Sequence, residues 1–352
     1  MLVYLLRKLA YGSLVLVLVV VIISSIIYLA PVDPARLTFG QRSDVATVEA
    51  KRSTLGLDEP LYRQLGRYLN DISPLSFHEA SPANRDKYHY HPLWRSDNGV
   101  LVLKKPYLRE SYQKGRLVSE MLAEAVPRTF LLALTAIGLA LVIGLLLGVL
   151  AAWRPNSWFD QLAVSLSVIG ISVPSYVSAM VLALVFGYWL HDYTGLEVQG
   201  SVYGLDDFGD TRYFWANLLL PALALGVRPV AIITQLTRSA MLDVLSEDFV
   251  RTARAKGLSP AVVVIKHALR NALNPVVTAV SGWFAGLLAG AFFVENVFSF
   301  NGLGQLTVNA LLNYDIPVVL GAVLFTAVIF VVINVLVDVL YGWLDPRVRV
   351  GA

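Results

Sequence analysis

The sequence contains no cysteine. Disulfides, thiolate metal sites and a cysteine nucleophile are therefore excluded. Charge is scarce too: 15% of the 352 residues are Asp, Glu, Lys or Arg, against about 25% in an ordinary soluble domain. The net charge is only +3, and no basic stripe interleaved with aromatics suggests a nucleic-acid partner. No G-x-x-x-x-G-K-[ST], H-E-x-x-H or G-x-S-x-G occurs, so no nucleotide site and no catalytic residues are expected.

What is abundant is apolar. Hydrophobic residues make up 56% of the chain and mean hydropathy is +0.63. No single core could shelter that many apolar side chains, which makes lipid the natural solvent. A spanning helix needs about 20 apolar residues to cross a hydrocarbon layer about 30 Å thick. Six stretches meet that length, at about 9–29, 129–152, 162–190, 214–236, 275–297 and 316–340. The expected fold class is an all-α integral membrane protein of six transmembrane helices. The first apolar run exceeds a signal-peptide core and no A-x-A-like site precedes Pro31, so it reads as a retained anchor.

Nearly half of the charge sits between the first two spans. Residues 31–120 hold 14 of the 28 Lys+Arg and 11 of the 25 Asp+Glu. Arg7, Lys8, Arg154, Arg238, Arg251, Arg254, Lys256, Lys266, Arg270, Arg347 and Arg349 fall on one side if both termini are cytoplasmic, which is the orientation expected. The charged block is then extracytoplasmic. Asp58-Glu59-Pro60 reads as a helix start, with a capping side chain and Pro in the first turn, and Leu61, Leu65 and Leu69 share a helical face. The stretch 73–105 is rich in turn formers and shows no period, and 116–124 is amphipathic and leads into the second span.

Between the fourth and fifth spans the chain reads SEDFVRTARAKGLSPAVVVIKHALRNALNP. Ser246 is expected to cap a helix with Glu247 and Asp248 in its first turn, where the helix dipole favours acids. Gly257 suits the left-handed residue that ends it. Ser259-Pro260 then starts a second helix to about 273. So organised a connection suggests a docking element.

This segment resembles the EAA loop of importer permeases, and more closely its dipeptide, oligopeptide and nickel branch, where R-T-A-R-A-K-G and H-A-L-R-N-A-L are usual. Arg251-Thr252-Ala253, Gly257 and His267-Ala268-Leu269-Arg270 carry the match; the Glu, Ile and Pro of the general pattern are replaced. Leu29-Ala30-Pro31-Val32-Asp33-Pro34-Ala35 is similar to the branch's L-A-P-G-D-P-A, with Val32 for Gly. Leu55-Gly56-Leu57-Asp58-Glu59-Pro60 matches L-G-L-D-x-P. Residues Val294 to Gly304 resemble V-E-x-V-F-S-x-P-G-L-G, with Asn301 for Pro. Asp345-Pro346-Arg347-Val348-Arg349 resembles the terminal D-P-R-x-R. Only about 73–105 falls outside the likeness and reads as an insertion.

The resemblance implies the permease subunit of a bacterial ATP-driven ABC importer of the type I fold, in the cytoplasmic (inner) membrane. Implied partners are a second, paralogous permease, two cytoplasmic ATP-binding subunits and an extracytoplasmic substrate-binding protein; ATP would be bound by those subunits, and no cofactor by this chain. The division implied is 1–30 first helix, 31–125 extracytoplasmic region, 126–345 permease core with coupling loop 241–274, and 346–352 tail. Asp248, Arg251, Thr252, Ala253, Lys256 and Gly257 would meet an ATPase. The solute stays open among dipeptides, oligopeptides and nickel chelates. The rival reading is an ATP-independent secondary carrier or channel, which would leave the basic loop without a partner.

Arg228 lies in the middle of the fourth span. A charge there is costly, so it either lines the pathway and meets a solute carboxylate, or holds helix carbonyls beside Pro229 or pairs with Asp338 or Glu295. Glu295 either lines the pathway or caps the following loop, and Asp338 suits an interfacial ion pair. His89 and His91, with His78 nearby, are an H-x-H pair that reads as an aromatic-rich loop unless it binds a metal. Gly138, Gly144 and Gly148 suit close helix packing.

Overall fold

The computed structural model describes residues 2–29, 45–96, 99–205 and 211–344. The chain divides into two compact units, Met1–Ala125 with Leu306–Val328, and Val126–Gln305 with Ile329–Ala352. The motif residues at 30–35 and 345–349 and the tail 346–352 lie outside the described residues.

In the first unit, helix Leu2–Leu29 covers the first predicted span, and helices Val45–Leu55 and Leu61–Ile72 follow. Leu61–Ile72 forms as its leucine spacing predicts. Its cap differs: Pro60 holds the N-cap position with no side-chain cap, and Asp58 pairs instead with Arg52 at 2.8 Å. Tyr68 is fully buried and packs with Val20, Ile316 and Leu320. Buried Asp315, just before helix Ile316–Leu344, accepts hydrogen bonds from the Ser111 hydroxyl at 2.5 Å and the Tyr112 amide at 2.9 Å.

The stretch that showed no sequence period folds as a small antiparallel sheet. Strands β1 (Leu75–His78), β2 (His91–Ser96) and β3 (Gly99–Leu103) take the order β1-β3-β2, with helix Pro82–Tyr88 between β1 and β2. The β2–β3 register slips between Pro92 and Trp94, at a residue that has no N–H to give the ladder. Ser76, His78, Val100 and Val102 are buried, whereas Leu75, Phe77 and Leu103 are exposed. Asp71 sits beneath, accepting from the Tyr88 hydroxyl at 2.9 Å and Arg109 Nε at 2.8 Å. Burial, and then Asp71, push the Tyr88 hydroxyl above its ordinary range. Burial, and then Lys104, lower His78, which stacks on Tyr88 at 4.3 Å. His89 closes helix Pro82–Tyr88 in the left-handed conformation and His91 opens β2. No group of three metal-capable side chains occurs among the described residues.

Several of the later spans are longer or less straight than the hydropathy suggested. Val118–Trp153, Trp215–Leu245 and Ile316–Leu336 are long and apolar enough to cross a membrane. The third predicted span is broken: helices Trp158–Ser172 and Ser175–Trp189 meet at 107°. The cause is local, since Pro174 has no N–H and its ring disfavours helix at Val173. The fifth bends by 59° between Pro275–Leu288 and Phe292–Phe298. Gly144 and Gly148 let Val118–Trp153 lie against Leu219–Leu245: a Cβ on Gly148 would stand 2.6 Å from Thr237 Cβ, and one on Gly144 2.7 Å from Ile233 Cγ2. Gly138, grouped with them from the sequence, has open space beside it. Two short strands, β4 (Tyr203–Leu205) and β5 (Thr211–Tyr213), pair before the Trp215 turn.

Candidate functional site

The segment after Leu245 is built from a short helix that the preceding span holds by one face. Helix Asp248–Ala255 buries Val250 and Ala253 in a cluster with Val244, Leu245 and Val263. These residues are three apart, so the side chains between them point outward. Asp248, Phe249, Arg251, Thr252, Arg254, Lys256 and Gly257 are exposed. Arg251 and Asp248 make an open i,i+3 pair at 3.3 Å, worth little in water. Gly257 ends the helix at φ +78°, a conformation that carries a steric cost for any residue with a Cβ.

Two local expectations change here. Glu247, not Ser246, occupies the N-cap position, and the Ser246 hydroxyl turns back to the Asp243 carbonyl at 2.7 Å, closing the preceding helix. The second short helix is not separate either. Pro260–Val262, a π-helical turn Val263–Leu269 and helix Arg270–Gly290 run on without a break. Pro275 is the sixth residue of this last helix and does not end it.

Close to this segment lies an ion pair that sequence reading did not find. Arg238 holds both oxygens of Asp160, through Nε to Oδ1 and through Nη2 to Oδ2 at 2.7 Å. Asp160 also accepts the Asn156 amide at 2.8 Å and is 2% exposed. Ser157 caps the helix that carries it. The partners are far apart in sequence, and the only local signal was an acid in a first helical turn.

Arg228 lies halfway along Trp215–Leu245, and its Nε donates to the Ile171 carbonyl at 3.2 Å. That carbonyl belongs to the last turn before the 107° break. The side chain is exposed on this chain. Glu295 has a different setting. It is fully buried, accepting from the Thr129 hydroxyl at 2.6 Å and the Gln305 amide at 3.1 Å. Thr129 in turn accepts the Leu303 amide at 2.7 Å. Of the two readings of Glu295, this geometry is that of a loop cap: its carboxylate has no face open to a pathway within the chain. For Asp338 the ion-pair reading lies outside the described side chains.

A broken span, an organised basic loop and a buried carboxylate knot together invite comparison with known proteins. The family model described as "Binding-protein-dependent transport system inner membrane component" matches residues 144–350, and the N-terminal model of the same transport systems matches 1–81. The chain belongs to this family. It is a transporter component of an inner membrane, not an enzyme, and the resemblance seen in the motifs extends along the whole chain. A putative peptide transport system permease protein of Brucella abortus (strain 2308) is 37% identical over 346 residues, covering 98% of both chains. A dipeptide transport system permease protein of Alkalihalophilus pseudofirmus is 33% identical over 365 residues, covering 99% of this chain and 100% of its own. A glutathione transport system permease protein of Salmonella paratyphi A is 35% identical over 350 residues, covering 99% of each. Among solved structures, the inward-facing MetNI methionine ABC transporter matches with a TM-score of 0.50 at 19% identity, over 64% of this chain and 97% of that one. That likeness shows the permease fold.

Proposed function

We propose that this permease forms part of the membrane pathway of an ATP-driven importer of small peptides, working with a second permease, two cytoplasmic ATP-binding subunits and an extracytoplasmic binding protein. The relatives' substrates, peptides, dipeptides and glutathione, support the solute class. The observation that carries the reading is the segment 246–257. A helix fixed by Val250 and Ala253, yet presenting Phe249, Arg251, Thr252 and Lys256 outward, suits a rigid lever against a partner. A flexible loop would absorb the motion that it has to transmit.

On this reading the chain crosses the membrane six times. Helix Leu2–Leu29, the three straight spans and the two bent pairs supply the crossings. Both termini are cytoplasmic, 31–125 is extracytoplasmic, 126–345 is the permease core, and 241–274 is the coupling loop. Arg228 faces the pathway. The partner permease is a paralogue, and ATP is bound by the ATPases alone.

The test is gentle purification of the tagged chain, identification of what comes with it, and uptake of Ala-Ala by vesicles holding the complex and its binding protein. ATP-dependent uptake, with ATP-binding subunits lost from a Gly257→Trp variant, is the expected result. Uptake without ATP by the chain alone would replace this reading with a secondary carrier.

A further inference from the structure

Two features of the second unit need a polar environment at the same depth. The first is Arg228. Its Nε is taken by the Ile171 carbonyl, and its Nη groups have no hydrogen bond or ion pair among the described residues. It is exposed in the middle of a 31-residue apolar span. A guanidinium at that depth costs at least about 2.5–3.5 kcal/mol if lipid surrounds it. Such a residue faces water, a counter-charge or a ligand.

The second is the break itself. Pro174 holds the N-cap of Ser175–Leu182 without any side-chain cap, and the Ser175 and Tyr176 amides have no partner among the described residues. Irregular backbone at membrane depth is tolerated where it is buried in protein or lines a water-filled cavity. Here Ser172 and Tyr176 are exposed. Gly170 allows the close approach that puts the break beside Arg228: a Cβ there would stand 3.2 Å from Ala231 Cβ and 3.5 Å from Val227. The rings of Tyr176 and Phe293, 6.2 Å apart and both exposed, flank the same break.

A carboxylate from a neighbouring subunit would neutralise Arg228, but it would leave the freed amides of the break dry. A water-filled pathway that passes an anionic group satisfies both. We propose that Arg228, beside the break at Pro174, receives the carboxylate of the transported solute midway through the membrane, while exposed Tyr176 and Phe293 offer rings to its apolar part. The inference rests on the proposed pathway role of this chain. Guanidinium is suited to the task because its planar fork matches both carboxylate oxygens.

The absence of native cysteine makes the site directly testable. Ser172→Cys places a single thiol one residue from the Ile171 carbonyl. In the purified transport complex in vesicles, labelling of this chain is followed with an anionic sulfonatoethyl and a cationic trimethylammonioethyl methanethiosulfonate. The anionic-to-cationic rate ratio is expected to fall about tenfold or more on adding Arg228→Gln, the scale on which a charged cleft concentrates ions, and to persist with Arg228→Lys. Propionate should slow labelling, propionamide should not, and Arg228→Gln should abolish that protection. A reactive thiol with the same ratio in both backgrounds, or no protection by propionate, overturns carboxylate recognition and leaves the pathway role standing. A thiol unreactive to both reagents removes Arg228 from the pathway and overturns both. None of these readouts needs the solute to be a peptide, so failure of Ala-Ala uptake would count against the substrate class alone.

Discussion

Arg238 grips both carboxylate oxygens of Asp160 in a site where the acid is 2% exposed and the arginine 25%. The pair ties the start of Trp158–Ser172 to the last third of Leu219–Leu245, the helix that continues into Asp248–Ala255. The pair thus links the first half of the broken span to the helix that precedes the proposed coupling helix.

Breaking one side of that pair should be costly, because the other charge stays buried and unpaired. Asp160→Asn and Arg238→Met are each expected to destabilise the chain by about 3–5 kcal/mol, discounted for the exposed part of Arg238. The double variant Asp160→Asn with Arg238→Met should regain part of the loss. Thermal denaturation of the detergent-solubilised protein, set out as a double-mutant cycle, measures the coupling. Additive losses would mean that the two residues act independently.

Gly257 has room around it but not freedom of backbone. Nothing stands within 4 Å of an added Cβ, yet φ is +78°. Gly257→Ala should therefore cost about 1–2 kcal/mol through backbone strain alone. Because the strain is relieved by unwinding the end of helix Asp248–Ala255, retention of ATP-binding subunits should fall more than thermal stability does. Equal falls in both would point to a general folding defect.

These cases mark what the sequence discloses. Long apolar runs marked where apolar helices form, because that signal is carried by composition alone. The break in the third span was less legible: Pro174 was visible, but a proline in a membrane helix is often tolerated, so the residue alone does not announce a 107° turn. The bend before Phe292 has no proline to mark it. The outer sheet was hidden for another reason. In β1 the apolar residues Leu75 and Phe77 face outward while Ser76 and His78 are buried, so the usual alternation reads backwards. Gly257 was found because a left-handed residue leaves a chemical signature. Asp160 and Arg238 were missed because two distant charges meeting in a fold leave none.

His78 supplies a pH dependence whose sign follows from its surroundings. Burial, then Lys104, hold its folded pKa below the usual 6.5, against a weaker opposing pull from Asp71, with Lys87 adding to the lowering. The unfolded chain thus binds the proton more readily. Stability of the outer sheet is fully present above about pH 6.5 and falls as pH drops through the window from 6.5 to the lower folded value. Limited proteolysis between residues 75 and 103 should accelerate at pH 5.5 relative to pH 7.5, after correction for protease activity. His78→Phe, which keeps the stacking on Tyr88, should flatten that difference. A variant as acid-sensitive as the parent would assign the effect to another group.

The knot around Glu295 leaves no room for a methyl group. A Cβ on Gly302 would stand 2.5 Å from both Glu295 Oε2 and Thr129 Oγ1, and one on Gly304 2.6 Å from the Phe292 Cα. The first clash is with side chains that hold each other in place, the second with backbone. Gly302→Ala must therefore displace the carboxylate from the Gln305 amide or the hydroxyl from the Leu303 amide, stranding a buried polar group at about 1–3 kcal/mol. Glu295→Gln keeps the shape but gives the site an amide donor among groups that already donate. It should lower thermal stability by a similar amount, because the Gln305 amide or the Thr129 hydroxyl then loses its acceptor. If instead Glu295 served solute passage, Glu295→Gln would leave the melting temperature unchanged and slow Ala-Ala uptake alone. The buried geometry predicts the reverse order: the melting temperature falls first, and uptake per folded complex stays close to the parent's.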